Sequence, residues 1–253
     1  MYCPHCGKEI PDDQVFCQYC GSRLVAESVV FLSSTGRSKT AWENREETGF
    51  FHGLFRTMKD VLFTPSDFFK KMPVSGGLTD PLLYALIVGM AGLMIHYIWD
   101  MLLYDSMTDF MASDVRTAAG RSVVEGLRSP FAAMMTPFLM IFWLFIASGA
   151  LHLFLHLVRG ALAGFEATFR VVAYGVSPFV FLIVPFCGMP IAGLWVMIIA
   201  IIGLKEAHGT TGGKAAFTVL FPFIFCCGLF IATMVLFMGA MAASFGSMMH
   251  FHP

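Results

Sequence analysis

The longest uncharged stretch of the chain predicts a hairpin of two membrane-spanning helices. From 171 to 204 there are 34 residues without Asp, Glu, Lys or Arg. As a single helix this stretch would be about 50 Å long, which exceeds the roughly 30 Å of a hydrocarbon core. The segment 187–190 interrupts it, because its glycine frees the backbone and its proline cannot continue a helix. We therefore predict a tight turn there, between two antiparallel spans at about 168–186 and 190–206.

Three further apolar stretches have the length of a membrane-spanning helix. They cover about 82–104, 131–158 and 215–240, and the last contains Pro222, which predicts a kink. With the hairpin the total is five spans. The sequence thus predicts an all-α membrane protein whose five-helix transmembrane bundle occupies 81–245.

Composition and charge also divide the chain into an aqueous N-terminal part and a membrane part. Of its residues 57% are hydrophobic and 13% are charged, whereas soluble domains carry about 25% charged residues. Residues 1–80 hold nine of the sixteen Lys and Arg and ten of the seventeen Asp and Glu, so the aqueous part comes first. The formal net charge of −1 gives no sign of a nucleic-acid partner.

Two pairs of cysteines near the N-terminus predict a zinc ribbon over 1–25. Cys3 and Cys6 form one Cys-x2-Cys pair, Cys17 and Cys20 form the second, and ten residues separate the pairs. Four thiolates at this spacing close a tetrahedral site without an open position, which indicates structural Zn²⁺ rather than a catalytic ion. A redox role is the alternative, but no βαβ pattern surrounds the pairs. Zinc would replace the core that so short a module cannot build.

Between the ribbon and the bundle the pattern predicts a tether and two amphipathic helices. Residues 26–48 are largely polar after a short apolar run and predict a flexible linker. Over 49–73 apolar residues recur with helical periodicity, and Thr64 followed by Pro65 marks the start of a second helix. These helices either lie in the membrane interface or pack as a cap on the bundle, and the sequence leaves both open.

The distribution of basic residues predicts a cytoplasmic N-terminus. The N-terminal side of the membrane would carry Arg56, Lys59, Lys70, Lys71, Arg159, Arg170, Lys205 and Lys214. The opposite side would carry only Arg116, Arg121 and Arg128, in a loop that is acidic overall. Loops rich in Lys and Arg stay on the cytoplasmic side of the membrane. Reduced zinc thiolates also favour the cytoplasm, and the N-terminus shows no cleavable signal peptide.

Short motifs in a fixed order flank the predicted hairpin. They comprise Gly160, Gly164, Phe165, Thr168, Phe169, Arg170, Tyr174 and Pro178, then 203–209 with Lys214 and Ala215, and a lead-in at 61–65 with Phe68 and Phe69. Over 57–245 their order and spacing resemble the bacterial branch of the Yip-domain family, membrane proteins named for Ypt/Rab-interacting relatives in eukaryotes. The resemblance implies five membrane helices, a cytoplasmic N-terminus and the bacterial inner (cytoplasmic) membrane. The trafficking role and Rab GTPase partners of eukaryotic members are not carried over.

Two pairs of ionisable residues fall inside predicted spans. His96 and Asp100 are four residues apart on the first span, and His152 and His156 are four apart on the second. Ionisable groups are costly in a bilayer, so these four form a candidate intramembrane polar site for a metal or protons. The alternative is that they are interfacial or hydrogen-bonded residues. Antiparallel spans would place the two pairs at opposite membrane ends.

A second candidate site lies where the ends of the hairpin meet. It comprises Glu166, Arg170, Lys205, Glu206 and His208, with the family-motif residues Gly160, Gly164, Tyr174 and Pro178. One interpretation is a charge-paired cluster that fixes the two spans. The other is a site for a partner or a lipid headgroup.

The function predicted from these observations is not catalytic. The chain lacks His-Glu-x-x-His and the Gly-x-Ser-x-Gly elbow. We expect a non-enzymatic, multi-pass membrane protein that contacts the lipid bilayer and whose zinc ribbon docks a cytoplasmic protein or organises the membrane. The alternative is a small-solute or ion transporter that uses the intramembrane His and Asp residues. The sequence leaves oligomerisation open.

Overall fold

The computed structural model describes residues 5–9, 17, 19–20, 36–110 and 130–249. Cys3 and most of the predicted acidic loop, including Arg116, Arg121 and Arg128, lie outside the described residues. Within these described ranges, five helical segments are long and apolar enough to cross a membrane. They are Thr79–Leu103, Met134–Leu157, Gly164–Ile183, Gly188–His208 and Gly212–Gly239. The predicted all-α bundle of five spans is confirmed.

The described part of the chain contains eight α-helices and one 3-10 helix. In chain order they are α1 (Arg45–Thr48), α2 (Phe50–Phe63), α3 (Pro65–Lys71), α4 (Thr79–Phe110), α5 (Pro130–Leu157), α6 (Gly164–Tyr174), a 3-10 helix (Ser177–Ile183), α7 (Gly188–His208) and α8 (Gly212–Met249). The predicted amphipathic pair corresponds to α2 and α3. Helix α8 continues through Pro222.

The third predicted span is not one continuous helix. Helix α6 ends at Tyr174, and the chain resumes as the 3-10 helix, with Pro178 in its first turn. The Ser177 hydroxyl donates to the Tyr174 carbonyl oxygen at 2.7 Å. Proline cannot donate a backbone hydrogen bond, so it fits the start of a new helix and not the interior of a continuous one.

The turn of the hairpin lies slightly earlier than predicted. It occupies 184–187, and α7 already begins at Gly188. Pro190 is tolerated because backbone N–H groups in the first turn of a helix have no intrahelical acceptor. A Cβ at Gly188 would lie 2.3 Å from the Phe181 carbonyl oxygen, so the close approach of the two arms requires glycine there.

The core sits at the end of the bundle where α6 begins and α7 ends. Every residue of α6 from Ala167 to Tyr174 is buried, and α6 contacts α4, α5 and α7. Helix α8 differs, because only its first part packs on the bundle. Ala215 and Val219 are buried, whereas the large apolar side chains described beyond Pro222 are exposed. Lipid is the natural surrounding for such a surface.

Helices α2 and α3 pack against the bundle with one face and leave another uncovered. Val61, Leu62, Phe68 and Phe69 are buried. On α2 the side chains of Phe51, Phe55 and Phe63 are 70%, 57% and 73% exposed. The pair is therefore a cap on the bundle that also presents an aromatic face.

The prediction of a flexible linker over 26–48 is wrong for 37–48, which we call the latch. Trp42 is 1% exposed, its Nε1 donates to the Asp80 carbonyl oxygen at 2.8 Å, and its backbone N–H donates to Thr57 Oγ1 at 2.9 Å. Arg45 pairs with the Asp80 carboxylate at 2.7 Å. The latch is polar and not periodic, so its order comes from tertiary contacts that no local pattern reveals.

Candidate metal centre and buried polar clusters

Three cysteines of the predicted ribbon lie together. The sulfurs of Cys6, Cys17 and Cys20 are within 4.8 Å of one another, and those of Cys6 and Cys17 are 3.6 Å apart. Sulfurs about 2.3 Å from a tetrahedral zinc ion are about 3.8 Å apart, so this spacing fits a zinc-thiolate site. Gly7 follows Cys6 with a positive φ of 69°, which provides the tight turn after the first cysteine pair. The fourth predicted ligand, Cys3, is outside the described residues.

Arg170 is the centre of a buried ionic cluster. Its side chain is 2% exposed, and its Nη1 lies 2.7 Å from Glu43 Oε1. The Nε donates to Glu166 Oε1 at 3.2 Å, and Nη2 donates to the Gly77 carbonyl oxygen at 2.9 Å. Three directions of the guanidinium are thus satisfied, as a buried charge requires.

Tyr174 connects the same carboxylate to the latch. Its hydroxyl donates to Glu43 Oε1 at 2.6 Å and lies 3.2 Å from Thr40 Oγ1. Because the Tyr174 hydrogen points to Glu43, the Thr40 hydroxyl is the donor in the second contact. The latch is therefore attached to the third span by an ion pair and by two hydrogen bonds of one tyrosine.

A second arginine, Arg37, holds the start of the latch against two helix ends. It donates to the Phe69 and Met72 carbonyl oxygens at the end of α3, at 3.2 and 2.8 Å. It also donates to the Glu206 and Ala207 carbonyl oxygens at the end of α7, at 3.0 and 3.3 Å. Burial lowers the pKa of the Arg37 guanidinium, and the Glu206 carboxylate opposes this shift. The guanidinium binds carbonyls that have no intrahelical donor.

The predicted hairpin cluster separates into three groups. Glu166, Arg170 and Tyr174 belong to the ionic cluster just described. Lys205 and Glu206 form their own pair at 2.9 Å, and Ser66 donates to the same Glu206 oxygen at 2.9 Å. His208 forms the third group, with residues of α5 and α6.

His208 takes part in a hydrogen-bonded chain through Thr168. The Ala163 N–H donates to His208 Nδ1 at 3.1 Å, so the imidazole proton is on Nε2. That nitrogen lies 2.9 Å from Thr168 Oγ1, which is also 2.9 Å from His152 Nδ1. The Thr168 hydroxyl thus accepts from His208 and shares a second hydrogen bond with His152 Nδ1. This chain ties three spans together.

The two predicted histidine pairs have different surroundings. His96 and Asp100 are 3.8 Å apart on α4, and their side chains are 33% and 56% exposed. His156 is exposed on α5, whereas His152 makes the contact with Thr168. Ring contacts of His152 are to Phe165 and His208. Within the part of the chain that the structure describes, the pair on α4 and the pair on α5 do not form one site.

The glycine and proline motif residues have structural positions around α6. Gly160 follows α5, where an added Cβ would lie 2.8 Å from Leu155 Cδ1. Gly164 begins α6 with a φ of 80°, a conformation that favours glycine. Pro178 opens the 3-10 helix. These residues shape the entry to and exit from α6.

Sequence reasoning missed the residues supplied by the latch. Arg37, Thr40 and Glu43 contact predicted site residues but lie in a segment expected to be flexible. Glu166 and Arg170 were predicted to share one cluster, and their spacing is a signal that could have found their contact, because residues four apart share a helix face. No comparable signal pairs Glu43 with a residue in another helix.

The fold and the cysteine cluster define a class: a multi-pass helical membrane protein with a small metal-binding module at its N-terminus. Residues 59–234 match the family profile of the Yip1 domain, and residues 2–24 match that of a zinc-ribbon domain. The chain therefore belongs to the Yip1-domain family, a membrane family not known as enzymes. No curated protein and no solved structure gave a significant match. The predicted family resemblance is confirmed, and the bacterial assignment stays a prediction.

Proposed function

We propose that this protein is a non-enzymatic membrane adaptor whose zinc ribbon docks a cytoplasmic protein at the bilayer surface. The observation that supports this proposal is the latch. Its ion pair between Glu43 and Arg170 and its tyrosine contact attach the chain just after the ribbon to the end of the bundle. Only sixteen residues, 21–36, separate Cys20 from Arg37. Even if this stretch is fully extended, Cys20 and Arg37 are at most about 60 Å apart, so the ribbon remains tethered to the end of the bundle.

The metal in this proposal is structural Zn²⁺ bound by Cys3, Cys6, Cys17 and Cys20. Four thiolates complete its coordination, so no position is open for a substrate. The ion would hold the two cysteine pairs in place and present the intervening side chains. Lys8 Nζ lies 4.6 Å from the centre of the Tyr19 ring, and this contact joins the two halves of the module. The Tyr19 side chain is nevertheless 54% exposed. An exposed aromatic residue on a small rigid module is a common anchor of protein interfaces.

The orientation in this proposal places the ribbon, the latch and the end of α7 in the cytoplasm of a bacterial cell. Arg37, Arg45, Arg170, Lys205 and Lys214 then gather at the cytoplasmic end. The hairpin turn at 184–187, which contains no charged residue, lies on the other side. This arrangement agrees with the preference of basic residues for the cytoplasmic side.

The test is site-specific photocrosslinking in living cells. A photoreactive amino acid replaces Glu9, an exposed ribbon residue, in the otherwise native chain. We expect a protein adduct of defined mass that disappears when Cys17→Ser removes a metal ligand. The matched control places the same probe at Glu46, an exposed latch residue outside the ribbon. If Cys17→Ser leaves the Glu9 adducts unchanged, the ribbon is not the docking module and the proposal is wrong.

A further inference from the structure

A polar cleft lies between the latch and helices α2 and α3. Its volume is about 490 Å³. Its walls include Ser38, Lys39, Thr40 and Asn44 from the latch, Arg56, Asp60 and Thr64 from α2 and its end, and Asp67 and Lys71 from α3. Small-molecule sites typically measure roughly 300–1,000 Å³, so the cleft is large enough for a ligand of moderate size.

The cleft combines charges of both signs that do not neutralise each other. Lys39, Arg56 and Lys71 supply three cations, and Asp60 and Asp67 supply two carboxylates. Among the residues that the structure describes, the ion pairs are formed by other side chains. Arg56, Asp60 and Thr64 are spaced four residues apart, so they form one polar stripe along the helix. A ligand that carries both an anionic and a cationic group would complement this surface.

The position of α3 places the cleft at the bilayer surface. Ser66, in the first turn of α3, donates to the Glu206 carboxylate at 2.9 Å, and Glu206 is two residues from the end of the membrane-spanning α7. The α3 side of the cleft therefore lies at the end of a transmembrane helix. The exposed rings of Phe51, Phe55 and Phe63 belong to the same helix as Arg56 and Asp60. Aromatic side chains next to basic ones are typical of helices that lie at the headgroup level.

We propose that the cleft binds the headgroup of a zwitterionic phospholipid that carries a primary amine. The phosphodiester would accept hydrogen bonds from Lys39, Arg56 and Lys71. The ammonium group would donate to Asp60 and Asp67, and the acyl chains would follow the exposed rings of α2. The carboxylates oppose a purely anionic ligand, and the cations oppose a free amine. Only a headgroup with both charges satisfies both sets of residues.

The test measures phospholipid retention by the full-length protein in detergent with native mass spectrometry. Phosphatidylethanolamine, phosphatidylcholine and phosphatidylglycerol with identical acyl chains are added in turn. We expect phosphatidylethanolamine to be retained about ten-fold more strongly than the other two, because only it has ammonium N–H donors beside a phosphate. Equal retention of all three lipids, or displacement of phosphatidylethanolamine by millimolar inorganic phosphate, would overturn the proposal.

Paired variants identify the residues. Asp60→Asn with Asp67→Asn should abolish the preference for phosphatidylethanolamine over phosphatidylglycerol, and Arg56→Gln with Lys71→Gln should weaken retention of both lipids. Lys59→Gln is the control, since this exposed cation of α2 is not part of the cleft wall. If Lys59→Gln loses as much lipid retention as the paired variants, the assignment of the cleft residues is contradicted. The lipid comparison on the unmodified protein decides the matter even if a variant fails to fold.

Discussion

Arg170 shows how a single charged residue can be kept inside a membrane protein. Its guanidinium contacts Glu43, Glu166 and the Gly77 carbonyl oxygen, and each contact uses a different nitrogen. A lysine ammonium could not reach these three groups from the same position, because its donors radiate from one atom. The residue therefore acts as a junction between the latch, α6 and the loop before α4.

Replacing one partner of this buried pair should be much more damaging than replacing both. Arg170→Met leaves the Glu43 carboxylate, 5% exposed, without its cation, and we expect a loss of about 3–5 kcal/mol in unfolding free energy. The double variant Arg170→Met with Glu43→Met removes both charges and should recover a large part of that loss. Thermal and denaturant unfolding in detergent measures the unfolding free energy of the unmodified protein, the Arg170→Met variant and the double variant.

The control for this cycle is the more exposed pair of the latch. Arg45 and Asp80 have side chains that are 24% and 39% exposed, so Arg45→Met should cost only about 1 kcal/mol. If the Arg170→Met and Arg45→Met losses are equal, the buried cluster does not hold the latch in the way described.

At the level of single residues, sequence reasoning found pairs within one helix and missed pairs between elements. The i, i+4 rule paired His96 with Asp100, and these two side chains lie 3.8 Å apart. The same rule paired His152 with His156, whereas His152 instead contacts Thr168, which also contacts His208. Helical spacing is known from the sequence, but the partner on a neighbouring helix depends on packing that only the fold specifies.

Among the elements, the hairpin depends on a few backbone features. The 3-10 helix is shorter and tighter than the α-helix predicted at this position, and it ends next to α7. An added Cβ at Gly188 would meet the Phe181 carbonyl oxygen at 2.3 Å, and a backbone atom cannot rotate away as a side chain can. The contact between the two arms is therefore close because residue 188 has no side chain.

We predict that Gly188→Ala destabilises the protein by about 1–3 kcal/mol, the usual cost of overpacking a tight contact. The matched variant is Gly193→Ala on the same helix, where an added Cβ meets no atom within 4 Å. It should be neutral or slightly stabilising, since alanine favours helix. Midpoints of thermal unfolding compare the two, and similar midpoints would contradict the packing described here.

The elements themselves were predictable to different degrees. Apolar length located all five spans because water-to-lipid transfer dominates where a helix can form. The break after Tyr174 and the earlier position of the turn were not predicted, since a proline signals an interruption but not the geometry on either side. The latch was missed altogether because it has neither period nor apolar content, and its order is supplied by distant partners.

Within the described residues, one end of the molecule is rich in charged side chains. The latch, the ionic cluster and the Lys205–Glu206 pair lie at this end, and the turn at 184–187, which has no charged residue, lies at the other. Helix α8 extends away from the bundle with its large side chains exposed. This asymmetry underlies the proposed orientation.

Cysteine accessibility in intact and everted membrane vesicles tests that orientation. We expect Lys71→Cys and Lys214→Cys to react with a membrane-impermeant maleimide only from the cytoplasmic side, and Met189→Cys to react only from the opposite side. Native Cys187 and Cys227 are exposed and are first replaced by serine. Labelling of positions 189 and 214 from the same side would rule out a hairpin that crosses the membrane twice.

The latch contacts residues that are far from it in the sequence, and this has a consequence for biosynthesis. Glu43 precedes Arg170 by 127 positions, and Arg37 precedes Glu206 by 169. Synthesis proceeds from the N-terminus, so the latch leaves the ribosome before any span and must wait until the fourth span is made. Until then Arg37 and Glu43 remain in water, where their charges cost nothing. A segment that is synthesised before any span is thus among the last to dock, and its docking requires that both arms of the hairpin have already been inserted.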